Sequence, residues 1–245
     1  MIQNESSNIA MSGFKHVHHS NSSNKMTLSG TLNKTLILTL LVFIGGFLSW
    51  SGKISMEYYM PVFITTLIVS LVIVFTLMFK PLLANILAPI YAVVEGIFLG
   101  MISLFFETMY PGIVTQAILL TLTIALVMNL LYRNKIIKVT QKFKAVIFGA
   151  TLGIFGVYMI SMIMSFFGSG IPLIHESGPI GIGFSLFVVV IASLNLLMDF
   201  HFIDKQVEQN MPKKMEWYGG FMLIVTLVWI YIEVLKLLSK LRSRE

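Results

Sequence analysis

The chain has 245 residues, 56% of them apolar and only 11% charged, with a net charge of +6. A soluble domain carries about 25% charged residues, so a water-soluble globule is excluded, as is disorder over most of the length. No cysteine is present, which removes disulfides, thiolate zinc sites, iron–sulfur clusters and cysteine nucleophiles.

Residues 1–33 are rich in Ser and Asn and hold His16, His18 and His19. A secretory signal would carry its apolar stretch nearer the start. The segment reads as a disordered polar tail, and its histidines as solvated residues, since nothing fixes their geometry for a metal.

From residue 34 to 241 the charges cut the chain into seven apolar pieces, each near the roughly 20 residues that cross a bilayer as a helix. Segments 35–52 and 58–79 are uncharged. Segment 81–106 holds one charge, Glu95. Segments 108–132 and 145–174 hold none, and segment 177–198 is uncharged and ends at Asp199. Segment 217–238 holds Glu233 and Lys236 near its end, and a basic carboxyl end follows at 242–245. These runs do not alternate apolar with polar, as barrel strands would, and lipid forbids open sheet edges. The predicted fold is all-α: a polytopic membrane protein with seven transmembrane helices in a single bundle and no separate soluble domain.

Lys and Arg set the orientation. With the amino terminus inside, 12 of the 17 basic residues fall on inner segments. The outer side receives Lys53, together with Lys236, Lys240, Arg242 and Arg244 at the carboxyl end. The positive net charge is thereby read as basic cytoplasmic loops, and no nucleic-acid partner is expected. The basic carboxyl end departs from the rule; seven crossings, with that end outside, is the preferred arrangement.

An ionisable side chain in a span costs about 2.5–3.5 kcal/mol even on the lenient insertion scale. Glu95, Asp199 and Glu233 are therefore expected to face an interior, a water cavity or an interface. On the sixth segment Gly181, Ser185, Val188, Ala192, Asn195 and Asp199 recur in steps of four and three, which puts them on one helix face. Small and polar residues at that spacing favour close helix packing and interhelical hydrogen bonds. The alternative is a pure packing face with Asp199 reaching to the surface. The seventh segment has a matching face: Gly219, Met222, Thr226, Trp229 and Glu233. Gly96 and Gly100 on the third, and Gly149, Gly153 and Gly156 on the fifth, read as packing devices.

No Lys or Arg lies in the middle of the first six segments, so these acids are expected to lack an internal cation. They must then stay protonated, share a proton or hold a metal ion. Two acids sharing a proton titrate as a unit, and once deprotonated they offer an oxygen-rich site suited to calcium. Asp199 and Glu233 are the candidate pair and the candidate calcium ligands. Contact between them requires an offset or a bent helix, because Glu233 lies well along its segment. Asn195 is expected to orient Asp199, with Glu95 as an accessory site.

Several stretches together resemble the Bax inhibitor family, specifically its bacterial YccA-like branch. They are YAVVEGIFLG (91–100), ETMYPGIVTQAILLT (107–121), LLYRNKIIKVTQKF (130–143), GPIGIGFSLFVVVIASLNLLMDFHFID (178–204) and MEWYGGFMLIVTLVWIYIEVLKLL (215–238). The resemblance implies seven helices with the last one central. It also implies a pH-sensitive calcium leak gated by acids on the sixth and seventh helices. Leu197-Met198-Asp199 matches the first acid's usual context with Met in place of Tyr. Ile230-Tyr231-Ile232-Glu233 matches the second with Glu in place of Asp. Some of the family instead resembles a non-transporting regulator that binds a membrane protease or another bilayer partner.

A retinal protein is the seven-helix rival, but Lys236 lies close to the basic end, where it would reach to the interface. An intramembrane protease is the enzyme rival. His175-Glu176 begins an HExxH pattern whose second His is missing, position 179 being Pro. Gly168-Ser169-Gly170 lacks the spacing of a nucleophile elbow. The expectation is therefore no enzyme and no cofactor beyond transient calcium. The expected partners are the bilayer, calcium or protons, and a membrane protein in the regulator alternative. The expected location is a bacterial plasma or inner membrane, multi-pass, with the amino terminus cytoplasmic.

Overall fold

The computed structural model describes residues 25–51, 56–167 and 176–244. The expectations for residues 1–24 of the polar tail, for the histidines within it, for Lys53 and for the 168–175 stretch fall outside these residues; residues 28–33, expected to belong to the disordered tail, instead form the first turns of α1, which Thr27 caps. Among the described residues seven long helices follow in chain order: α1 Leu28–Trp50, α2 Met56–Phe79, α3 Ala84–Met109, α4 Ile113–Arg133, α5 Gln141–Phe166, α6 Pro179–Glu208 and α7 Met215–Arg242. All seven are long and apolar enough to cross a membrane. Among the described residues the only pairing of extended backbone is one isolated bridge between Lys25 and Pro212. Large apolar side chains such as Phe47, Phe79 and Phe155 stay exposed. That is how lipid-facing surface looks once lipid is taken away, and would be a liability in water.

Local chemistry sets the helix ends. Thr27 caps α1 by accepting from the Gly30 amide, and Thr140 caps α5 by accepting from the Phe143 amide. Pro81 follows α2 and opens a short 3-10 turn, Pro81–Leu83, ahead of α3. Gly112 precedes α4 with φ +83°, a left-handed conformation that glycine adopts without steric cost. The Glu107 carboxylate accepts from the amides of Gly112 (2.6 Å) and Val114 (3.0 Å), placing negative charge at the amino end of α4.

Two spans run further than hydropathy alone suggests. α6 continues to Glu208, so Asp199 lies inside the helix and not at its end. α7 runs from Met215 through Arg242, past the expected end at residue 238, and takes in Lys240. Hydropathy ends a segment where charges gather, whereas an α-helix continues as long as its backbone bonds and side-chain partners hold. α7 has the largest buried share of the seven helices, followed by α6.

The chain divides into two compact units, one drawn from Met1–Phe105 and Phe202–Ile224, the other from Phe106–His201 and Val225–Glu245. In the first, α1 and α3 approach at glycines. A Cβ on Gly96 would overlap the Val42 carbonyl oxygen, one on Gly45 would overlap the Val93 carbonyl oxygen, and one on Gly100 would overlap Ser49 Oγ. This bears out the packing role expected of Gly96 and Gly100. In the second, Ile147, Ile154, Val188 and Ile191 form a core, with Tyr158, Phe184, Met198 and Trp229 packed on it. Here the expectation for α5 is corrected. Nothing lies within 4 Å of a Cβ built on Gly149, Gly153 or Gly156. Their stripe points away from the face carrying Ile147 and Ile154, so it packs against no described residue.

Candidate functional site

The small-residue face of α6 turns inward as its spacing implies. Ser185, Val188, Ala192 and Asp199 are all buried. Glu95, Asp199 and Glu233 are 7%, 9% and 2% exposed, so all three carboxylates are withdrawn from the surface. Glu95 belongs to the first unit, one helical turn beyond the buried Tyr91 on α3. Asp199 and Glu233 belong to the second.

Asp199 is held by α7. Thr226 Oγ1 donates to Asp199 Oδ2 at 2.6 Å. Asn195 does not orient it. Its amide donates to Thr151 Oγ1 on α5 and back to the Ile191 carbonyl, each at 2.9 Å. One turn of α6 separates Asn195 from Asp199, and α5 offers the carboxamide a nearer acceptor.

Glu233 has a different set of partners. Tyr158 Oη, on α5, donates to Oε2 at 2.9 Å. Lys236 Nζ, one turn further along α7, donates to Oε1 at 3.0 Å and stands 4.7 Å from the centroid of the Tyr158 ring. The expectation of an acid without an internal cation is thus corrected for Glu233. Residues three apart on a helix are neighbours, and continuation of α7 keeps Lys236 on the carboxylate, although its side chain remains 40% exposed.

Asp199 and Glu233 therefore make no hydrogen bond to each other. Thr226, which marks the level of Asp199 on α7, lies seven residues before Glu233, an axial rise of about 10 Å. Two separate acidic stations beside α7, Asp199 reaching it from α6 and Glu233 standing on it, each with its own hydroxyl donor, replace the expected proton-sharing pair. Among the described residues no three His, Cys, Asp or Glu side chains gather into a metal-binding group.

The family model described as Bax inhibitor 1 like matches residues 7–243. The chain belongs to that family. No match is found among curated proteins or solved structures. As a Bax inhibitor 1 like protein with seven membrane-spanning helices, it is a multi-pass integral membrane protein.

Three groups of the second unit escaped the sequence reading. Tyr158 lies in an uncharged segment whose tyrosine has the look of core. Lys236 has the look of an interfacial lysine. Lys240, in the last turns of α7, donates to the Gly181 carbonyl at 3.1 Å and to Ser185 Oγ at 2.8 Å. The available signal was the α6 face itself, which already grouped Gly181 and Ser185 with Asp199. In the first unit Glu216 was missed as well. It is 1% exposed and accepts from the Thr27 amide (3.1 Å) and the Thr27 hydroxyl (2.9 Å).

Proposed function

We propose that this Bax inhibitor 1 like protein is a pH-responsive calcium leak whose cation path runs beside α7 past Asp199 and Glu233. The observation that carries the reading is the pair of buried carboxylates met in succession along α7, one at the level of Thr226 and one two turns on. Buried acids in a membrane are costly and mark ion or proton routes. Carboxylate, hydroxyl and carbonyl oxygens are the ligands calcium takes. Each acid is a separate proton-binding station, with Glu95 as an accessory acid in the first unit. The protein is no enzyme and uses calcium as its cargo. Its amino terminus lies on the cytoplasmic side of a bacterial cell membrane, a placement supported by the excess of Lys and Arg on that side of the sequence and by the bacterial resemblance.

Calcium flux into liposomes, followed against pH, tests this. Asp199→Asn and Glu233→Gln should each change the flux–pH curve. Vesicles that stay calcium-tight at every pH with folded protein present overturn the leak.

One observation favours a second reading, the regulator that binds a bilayer partner. Gly149, Gly153 and Gly156 form an unoccupied small-residue stripe on α5, the kind of surface on which another transmembrane helix packs closely. Tight vesicles, together with loss of co-purifying membrane protein on Gly153→Leu, would favour it.

A further inference from the structure

Lys240 is in an unusual place for a terminal lysine. Its ammonium sits at the first two turns of α6, the end of a helix where the backbone dipole disfavours positive charge. The oxygens gathered there offset this: the Gly181 carbonyl at 3.1 Å, Ser185 Oγ at 2.8 Å, and the Glu233 carboxylate within electrostatic reach, with Lys236 opposing. Ser185 is 2% exposed, so its hydroxyl belongs to the interior and not to a wet rim. The chain beyond is fastened as well. Arg242 donates to the Pro111 carbonyl at 2.7 Å, and Ser243 bonds Ser177. These groups all lie in the second unit.

A main-chain carbonyl, a buried hydroxyl and a nearby carboxylate are a hard-oxygen set, the donors that bind hard metal cations. A lysine ammonium presents a compact point charge with three donors to the same oxygens. We propose that Gly181 O and Ser185 Oγ, within reach of the Glu233 charge, form a cation site which the chain closes with its own cation, the Lys240 ammonium acting as a tethered competitor. Its significance for permeation rests on the leak reading; the binding competition does not. Movement of the last turns of α7 exchanges the ammonium for a diffusible ion, and the Arg242 and Ser243 contacts oppose that exchange.

The test is calcium binding to the purified full-length protein in nanodiscs, by titration calorimetry with calcium alone at fixed pH. Lys240→Met keeps the stem and removes the charge. It should raise calcium affinity about tenfold or more, since one positive charge leaves the site. Adding Ser185→Ala to Lys240→Met should reverse most of the gain. Lys240→Gln serves the same purpose if the Met variant does not fold. No gain in affinity on removing the charge, or a gain indifferent to Ser185→Ala, overturns the proposal. Calcium flux is measured on the same samples. Gained binding with tight vesicles defeats the leak and leaves the tethered cation standing. Flux without gained binding does the reverse.

Discussion

Thr226 and Asp199 meet across α6 and α7 through one short hydrogen bond, Oγ1 to Oδ2 at 2.6 Å, with both side chains buried. The two helices thereby share a polar contact where lipid-like surroundings would otherwise surround a bare carboxyl group. Thr226→Val preserves shape and removes the donor. A buried polar group left without its partner costs about 1–3 kcal/mol. Thermal unfolding in detergent should show that loss, and Asp199→Asn combined with Thr226→Val should lose less than the two single effects added. Full additivity would mean that the contact does not hold the helices.

Glycines at matching spacing separate sharply in what they tolerate. Gly96→Ala drives a methyl into the Val42 carbonyl oxygen, which is backbone and cannot swing aside. Overpacking of this kind costs about 1–3 kcal/mol, against the roughly 1 kcal/mol that alanine regains in a helix. Gly153→Ala meets nothing within 4 Å and should be neutral or stabilising by up to about 1 kcal/mol. Chemical unfolding of the two variants side by side gives the comparison, and equal losses would refute it.

The same contrast marks what sequence could reveal. Seven spans, and the inward face of α6, follow from charge gaps and from the 4–3 spacing, because both are properties of one helix at a time. Which glycine stripe has a neighbour is not such a property: Gly96 and Gly153 lie on similar stripes, yet among the described residues only the first has a helix against it. Nor does spacing fix the offset between two helices. Asp199 and Glu233 each stand on a polar face, but the register of α6 on α7 pairs Asp199 with Thr226, two turns short of Glu233. Lys236 reads as an interfacial lysine because the basic carboxyl end follows closely, while α7 runs on to Arg242. Glu216 stands just before the seventh apolar segment, beside Lys213 and Lys214. Its real partners at Thr27 are 189 residues away in sequence, a distance no local pattern spans.

Glu216 fixes where α1 begins. It receives the Thr27 amide and hydroxyl, and Thr27 in turn caps α1 through the Gly30 amide. Lys34 reinforces the same corner from 4.8 Å off the centroid of the Trp217 ring. Glu216→Ala leaves two Thr27 donors without their acceptor and should cost about 1–3 kcal/mol. Hydrogen exchange should accelerate in the first turns of α1 and remain as in wild type in α5. Unchanged exchange at α1 would show that the cap stands without Glu216.

The Glu233–Lys236 pair should reveal its energetics only when its two members are removed separately and together. Lys236→Met leaves the Glu233 carboxylate, 2% exposed, with Tyr158 as its remaining direct hydrogen-bond donor. Stripping one partner from a buried ion pair costs about 3–5 kcal/mol. Lys236 is 40% exposed and solvent already screens it, so a loss of about 1–2 kcal/mol is expected. Glu233→Gln removes the charge that Lys236 answers and keeps an acceptor for Tyr158. The double variant should therefore be more stable than Lys236→Met alone, because it no longer holds a buried carboxylate whose directly bonded cation has been removed. Thermal unfolding of the three variants checks this. A double variant less stable than either single one would mean that the ammonium and carboxylate stabilise the fold through other groups.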